Sequence, residues 1–205
     1  MRWLYPLLAL LLTACVNKTV AETGPASAIT RLTEADARGL DPQMVSDLAS
    51  TRIAADLFEG LTRFDASGNA EAGLAETWKT SADGRTWTFR LRPGLTFSDG
   101  QRLTADVFRR AFDRIRDEKS GSPHGALFGI IESLATPDDR TVVIRLENPF
   151  PQLPALLAHP AMAALPFHRI DAADDKWTSD RPLVTSGAYR LTDWQLSQKL
   201  VLDAN

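Results

Sequence analysis

Chemistry in this 205-residue chain can come from few side chains: one thiol, Cys15, three imidazoles, His124, His159 and His168, and scattered carboxylates and hydroxyls. A helical metal pair needs two histidines about four residues apart, and none of the three is so placed. Each stands near Pro or Gly in an expected loop. The paired carboxylates Asp138-Asp139 and Asp174-Asp175 read as turn and surface residues rather than as an acid set against a base. A G-x-S-x-G elbow, a glycine-rich phosphate loop and an H-E-x-x-H helix are all missing from the sequence. These groups assemble no catalytic set, so neither an enzyme nor a cofactor or metal is expected.

That leaves the thiol. Arg2 precedes the apolar run from Trp3 to Leu12, then come the small Thr13 and Ala14, and then Cys15. A basic start, an apolar middle and a small-residue end make a signal peptide. The run is too short to span a bilayer, which takes about 20 apolar residues. Leu12-Thr13-Ala14-Cys15 resembles the bacterial lipobox, in which diacylglycerol is joined to the cysteine sulfur and the chain is cut just before it. Residues 1–14 are then a lipoprotein signal peptide, and the mature chain begins at a lipidated Cys15. Each buried acyl methylene adds about 0.8 kcal/mol of membrane affinity, so two or three chains hold a protein at the surface. The alternative is an ordinary secretory signal with an incidental cysteine. Val16 follows Cys15, not the Asp that in some bacteria retains lipoproteins in the inner membrane, and both membranes stay open. A single cysteine excludes an intramolecular disulfide.

Composition narrows the partners. Lys and Arg total 23 against 26 Asp and Glu, a net charge of −3, which offers no basic field for a phosphate backbone. Nucleic acid is not an expected partner. With 44% hydrophobic and 24% charged residues, the chain is a folded soluble protein rather than a disordered tail or a multi-span membrane protein.

The elements follow from periodicity. Residues 15–28 are small and polar and read as a tether. A short strand is expected over 29–32, a turn at Leu40-Asp41-Pro42, and a helix from about Ser46 that carries Ile53, Leu57 and Leu61 and stops at Gly60. Over 86–92, Trp87, Phe89 and Leu91 alternate with polar residues, as in a half-buried strand. Thr104 reads as the N-cap of a helix with Asp106 in its first turn and Val107, Phe108, Ala111, Phe112 and Ile115 on one face. Arg109, Arg110, Asp113, Arg114 and Arg116 fall mostly opposite, as a solvated face. A strand over 141–147 follows a turn at Pro137-Asp138-Asp139-Arg140. Pro154 opens a short helix with Leu153, Leu156 and Leu157, and 189–194 and 199–202 form two last strands joined by Gln195-Leu196-Ser197-Gln198.

The order of several phrases carries more than any one residue. Leu40-Asp41-Pro42, Asp56-Leu57-Phe58-Glu59-Gly60-Leu61 and Gly73-Leu74-Ala75-Glu76-Thr77-Trp78 come first. Asp83-Gly84-Arg85-Thr86-Trp87-Thr88-Phe89, Phe97-Ser98-Asp99-Gly100-Gln101-Arg102-Leu103-Thr104-Ala105-Asp106-Val107 and Val184-Thr185-Ser186-Gly187-Ala188-Tyr189 follow. Together they resemble the oligopeptide- and dipeptide-binding lipoproteins of bacterial ABC importers, solute-binding protein family 5, from about Ile29 to the last residue. One departure is Ser186, where family members often carry Asn.

The resemblance implies a mixed α/β fold of the type II periplasmic-binding-protein kind. It implies an incomplete first lobe over 29–205, with an α+β subdomain inserted over 59–183 and the second lobe absent. It implies a lipid-anchored binding subunit in the periplasm or cell envelope, without catalysis. Its ligand is an extended peptide or related small solute, delivered to permease and ATPase subunits. The family grips peptide as an added strand; the segment that supplies part of that edge corresponds to Ser46, Asp47 and Leu48, which otherwise read as ordinary residues leading into a helix. Groups that capture peptide termini belong to the second lobe and fall on no residue of this chain. Two rivals stand beside this reading: a shortened or repurposed envelope lipoprotein that serves as an interaction module without binding peptide, and an envelope hydrolase.

Overall fold

The computed structural model describes residues 28–29 and 35–205. The expected signal peptide, Cys15 and the expected tether up to residue 27 lie outside the described residues, as do residues 30–32 of the first expected strand.

Alternating apolar residues build the central sheet. β4 (Ala75–Thr80), β5 (Thr86–Leu91), β6 (Ile131–Asp138) and β7 (Thr141–Leu146) lie antiparallel in the order β4-β5-β7-β6. Trp87 pairs with Ile144 and Phe89 with Val142, so the period-two pattern of the two inner strands puts their large side chains on one face. Phe89, Val142, Ile144 and Leu146 are fully buried. Trp78 and Trp87 both stack on Phe89, with ring centroids 6.0 and 6.3 Å from it. The helix α2 (Asp106–Arg116) lies against β6 and buries Val107, Phe108, Ala111, Phe112 and Ile115, the face its spacing predicts.

The first described strand joins the last two in a second sheet. β1 (Ala28–Ile29) pairs with β9 (Lys199–Ala204), which pairs with β8 (Tyr189–Gln195), all antiparallel. Ala28, the last residue of the expected tether, is thus in a strand. Between the two sheets run the helix α1 (Leu48–Leu57) and the hairpin of β2 (Thr62–Phe64) and β3 (Ala70–Ala72). The short helices α3 (Leu153–Leu157) and α4 (Phe167–Ala173) follow the central sheet.

Three local expectations change. α1 ends at Leu57, with Phe58 extended, so Leu61 is not helical and Gly60 is not a left-handed stop. Gly60 is required for another reason: a Cβ there would stand 2.7 Å from the Leu157 carbonyl oxygen. Thr104 makes no side-chain cap, because the chain is already helical at Ala105, whose N–H is taken by the Asp139 carbonyl at 2.8 Å. Arg114 is not on a solvated face; it is turned inward to meet Asp41.

Candidate functional site

The stretch that leads into α1 is held from several directions. Asp41 closes a turn by accepting the N–H groups of Met44 and Val45 on its carbonyl, at 3.0 and 3.2 Å. Its carboxylate accepts the Gln43 N–H at 2.9 Å, both terminal nitrogens of Arg114 at 3.2 and 2.7 Å, and the Trp177 Nε1–H at 3.0 Å. The Gln43 amide donates to the carbonyls of Ala111 and Ala161 at 2.9 and 3.0 Å, and its Oε1 accepts from Arg114 at 2.9 Å. Ser122 donates its hydroxyl to the Gln43 carbonyl at 2.6 Å, and His124 Nε2 donates to the Val45 carbonyl at 2.8 Å. Inward residues 41, 43 and 45 are thereby fixed to α2, to the loop after it and to the helical turns near 160 and 177.

What this anchoring presents is the next three residues. Ser46 is exposed, Asp47 is half-buried, and Leu48 is 65% exposed at the first turn of α1. Asp47 is the N-cap of α1: its Oδ1 accepts the Ser50 N–H at 2.9 Å, and that bond holds the carboxyl below the ordinary 3.8. Ser46 and Asp47 line a surface pocket of about 440 Å³ together with Arg38, Leu40, Met44 and Thr178. Leu48 stands beside it, outside the lining. Of the three residues named from sequence, two line the pocket and one, Asp47, has a structural duty as the helix cap. The anchors were not legible: Asp41, Gln43 and His124 find partners about 70 residues or more away, beyond any local pattern.

The other chemical candidates are dispersed. Asp138 serves Arg90, Thr141 and the Arg140 N–H at the β6–β7 turn, and Asp139 pairs with Arg102. His168 donates Nε2 to Asp99 at 2.8 Å, and the rings of His124 and His159 lie 4.9 Å apart. Among the described residues, no three His, Cys, Asp or Glu side chains stand together to hold a metal ion. No described helix is long and apolar enough to cross a membrane.

Residues 69–205 match the family model "Bacterial extracellular solute-binding proteins, family 5 Middle". The periplasmic oligopeptide-binding protein OppA of Salmonella typhimurium is 32% identical over 83% of this chain and 34% of its own length. The probable deoxycholate-binding periplasmic protein YgiS of Escherichia coli is 33% identical over 81% of this chain and 34% of its own. Haemophilus influenzae OppA, crystallised in complex with RPPGFSPFR, superposes with a TM-score of 0.80 at 27% identity, over 83% of this chain and 36% of that one. The unliganded open form of the murein tripeptide binding protein MppA gives 0.79 at 26%, over 88% and 39%. The chain thus spans about a third of the length of these curated relatives and has the mixed α/β fold of the N-terminal part of such proteins. On the match of most of its residues, it belongs to the bacterial extracellular solute-binding proteins of family 5, a family of binding proteins rather than enzymes.

Proposed function

We propose that the chain is the peptide-holding part of a periplasmic, lipid-anchored solute-binding protein that serves an ABC importer. Its edge at Ser46, Asp47 and Leu48 runs along the backbone of an extended peptide. The observation that carries this reading is the edge itself: a three-residue stretch with Ser46 and Leu48 exposed and Asp47 half-buried, preceded by residues fixed inward by charged, amide and imidazole anchors and bordered by a pocket. A rigid edge loses little entropy when a second strand is added, and the adjoining pocket takes side chains. The likeness to a relative crystallised with RPPGFSPFR supports peptide as the ligand class. In this reading 59–183 is an inserted subdomain; its support is that β4 to β7 fall inside that range while β1, β8 and β9 fall outside it.

Titration calorimetry of the chain against a pool of di- to pentapeptides, with deoxycholate as a second titrant, tests the ligand. Saturable heat with peptide supports the proposal. Heat with deoxycholate alone moves the ligand to the class named for YgiS, and silence from a folded sample favours an interaction module. Mass spectrometry of the membrane fraction of expressing bacteria tests the anchor: the first mature residue should be a diacylglyceryl Cys15, and Cys15→Ser should leave the membrane. The permease partner is tested by co-purification of the anchored chain with membrane-embedded transporter subunits.

A further inference from the structure

The carbonyl just before the proposed edge is tied down by an imidazole. His124 Nε2 lies 2.8 Å from the Val45 carbonyl oxygen, and since a carbonyl only accepts, the hydrogen is on Nε2. His124 is buried, and its ring packs on that of His159 with centroids 4.9 Å apart. His159 Nδ1 accepts the Ala161 N–H at 3.2 Å and so caps the helical turn Pro160–Met162. That bond requires a bare Nδ1, and a proton placed there would confront the Ala161 hydrogen. Two cationic rings at this spacing would also repel one another.

The charged groups on the surrounding elements leave the pair without a counter-ion. Asp41, on the segment that carries Val45, is paired at 2.7 Å with Arg114 of α2. Glu118 and Lys119, on the turn after α2, are exposed, α3 has no charged residue, and Phe128 is the other ring against His159. Among the described residues neither imidazole is ion-paired with a carboxylate.

We propose that His124 is a positioning residue for the edge at Ser46, Asp47 and Leu48, and that its packing against His159 makes the grip on peptide pH-dependent: firm while His159 Nδ1 is bare, released when a proton there breaks the Ala161 bond and displaces the ring packed on His124. This rests on the reading of those residues as the ligand edge. Burial first, and the neighbouring His124 second, hold the His159 pKa below its ordinary 6.5. The folded state therefore binds fewer protons than the unfolded chain as pH falls below that value, and the contacts of the pair weaken in the acid direction.

The test uses the full chain and two independent readouts. In the free protein, NMR amide shifts of Ser46, Asp47 and Leu48 should titrate with the same midpoint as the His159 ring protons. Affinity for the peptide pool should fall about tenfold between about pH 7.5 and about pH 5.5. His124→Gln keeps a donor for the Val45 carbonyl and His159→Asn keeps an acceptor for the Ala161 N–H, and neither titrates. The double variant should bring the affinity ratio close to one, while His168→Gln should leave it as in the wild type. Edge amides that ignore the imidazole midpoint, or a pH ratio that survives in the double variant, would overturn the proposal. If peptide binds at neither pH, the functional reading fails and the amide titration still decides the positioning role. If the double variant does not fold, the wild-type titration decides it.

Discussion

Arg114 and Asp41 meet at 2.7 Å across 73 residues of sequence, with side chains only 17% and 12% exposed. Asp41 is bonded besides by Gln43 and Trp177, so it is the node through which α2 and the turn near 177 hold the start of the edge. Removing one partner of such a pair leaves the other charge desolvated and alone. Arg114→Leu should cost about 3 kcal/mol in urea unfolding, and Arg114→Lys less, because an ammonium keeps a charge opposite Asp41 while losing the fork to both oxygens. A loss near zero for Arg114→Leu would show that water reaches Asp41 and that the node is not what holds the turn.

Much of the scaffold was legible because its signals are local. The Trp87, Phe89 and Leu91 stripe and the Val107 to Ile115 face each follow from one periodicity, and each is buried as expected. β4 and β6 were missed. They are the outer strands of the sheet, their register shifts between Ala75 and Thr77, between Ile131 and Ser133, and between Ala135 and Asp138, and such bulges break the period of two. Arg114 was misplaced for a different reason. Its helix position belongs to the polar face, and only the distant Asp41 turns that position inward. The edge residues were reached through family resemblance, since nothing in their own types marks them as a site.

Two glycines separate close packing from backbone preference. Gly187 donates its N–H to the Leu57 carbonyl at 2.9 Å, and a Cβ on it would stand 2.7 Å from the Leu57 carbonyl carbon and 2.8 Å from the Asp56 oxygen. Gly94 has φ +69 and open space around it. Gly187→Ala should therefore force β8 and the end of α1 apart, at about 3 kcal/mol. Gly94→Ala should cost only the left-handed backbone term, about 1 kcal/mol. Equal losses in chemical unfolding would refute the distinction.

Asp47 caps α1 and is proposed to face ligand, and chemistry can split the two roles. Asp47→Asn keeps an oxygen to accept the Ser50 N–H and should leave stability within about 0.5 kcal/mol, whereas Asp47→Ala removes the cap at about 1 kcal/mol. If Asp47 serves α1 alone, peptide affinity follows stability, and the Asn variant binds as the wild type does. If its charge faces ligand, the Asn variant loses affinity while its unfolding midpoint stays put. Parallel calorimetry and urea titration of the two variants read this directly.

Glu59 supplies a prediction with the opposite pH sign from the histidine pair. It stands where α1 hands over to β2, with its N–H bonded to Ser186 Oγ at 3.2 Å and its carboxylate 3.7 Å from Arg63. Burial raises its pKa above the ordinary 4.5, and the attraction of Arg63 and Arg92 only partly offsets this. A carboxyl whose pKa is raised by folding keeps its proton longer in the folded state, so its contribution is most favourable in acid and is lost as pH climbs through the folded value. Glu59→Gln should thus be more stable than the wild type at neutral pH, by no more than about 1 kcal/mol. The gain should shrink steadily as pH falls toward 4.5, where the wild-type carboxyl is itself protonated in the folded state. Urea unfolding of both proteins across that range is decisive: a gain that grows in acid would mean that the Arg63 pair, not desolvation, governs this carboxylate.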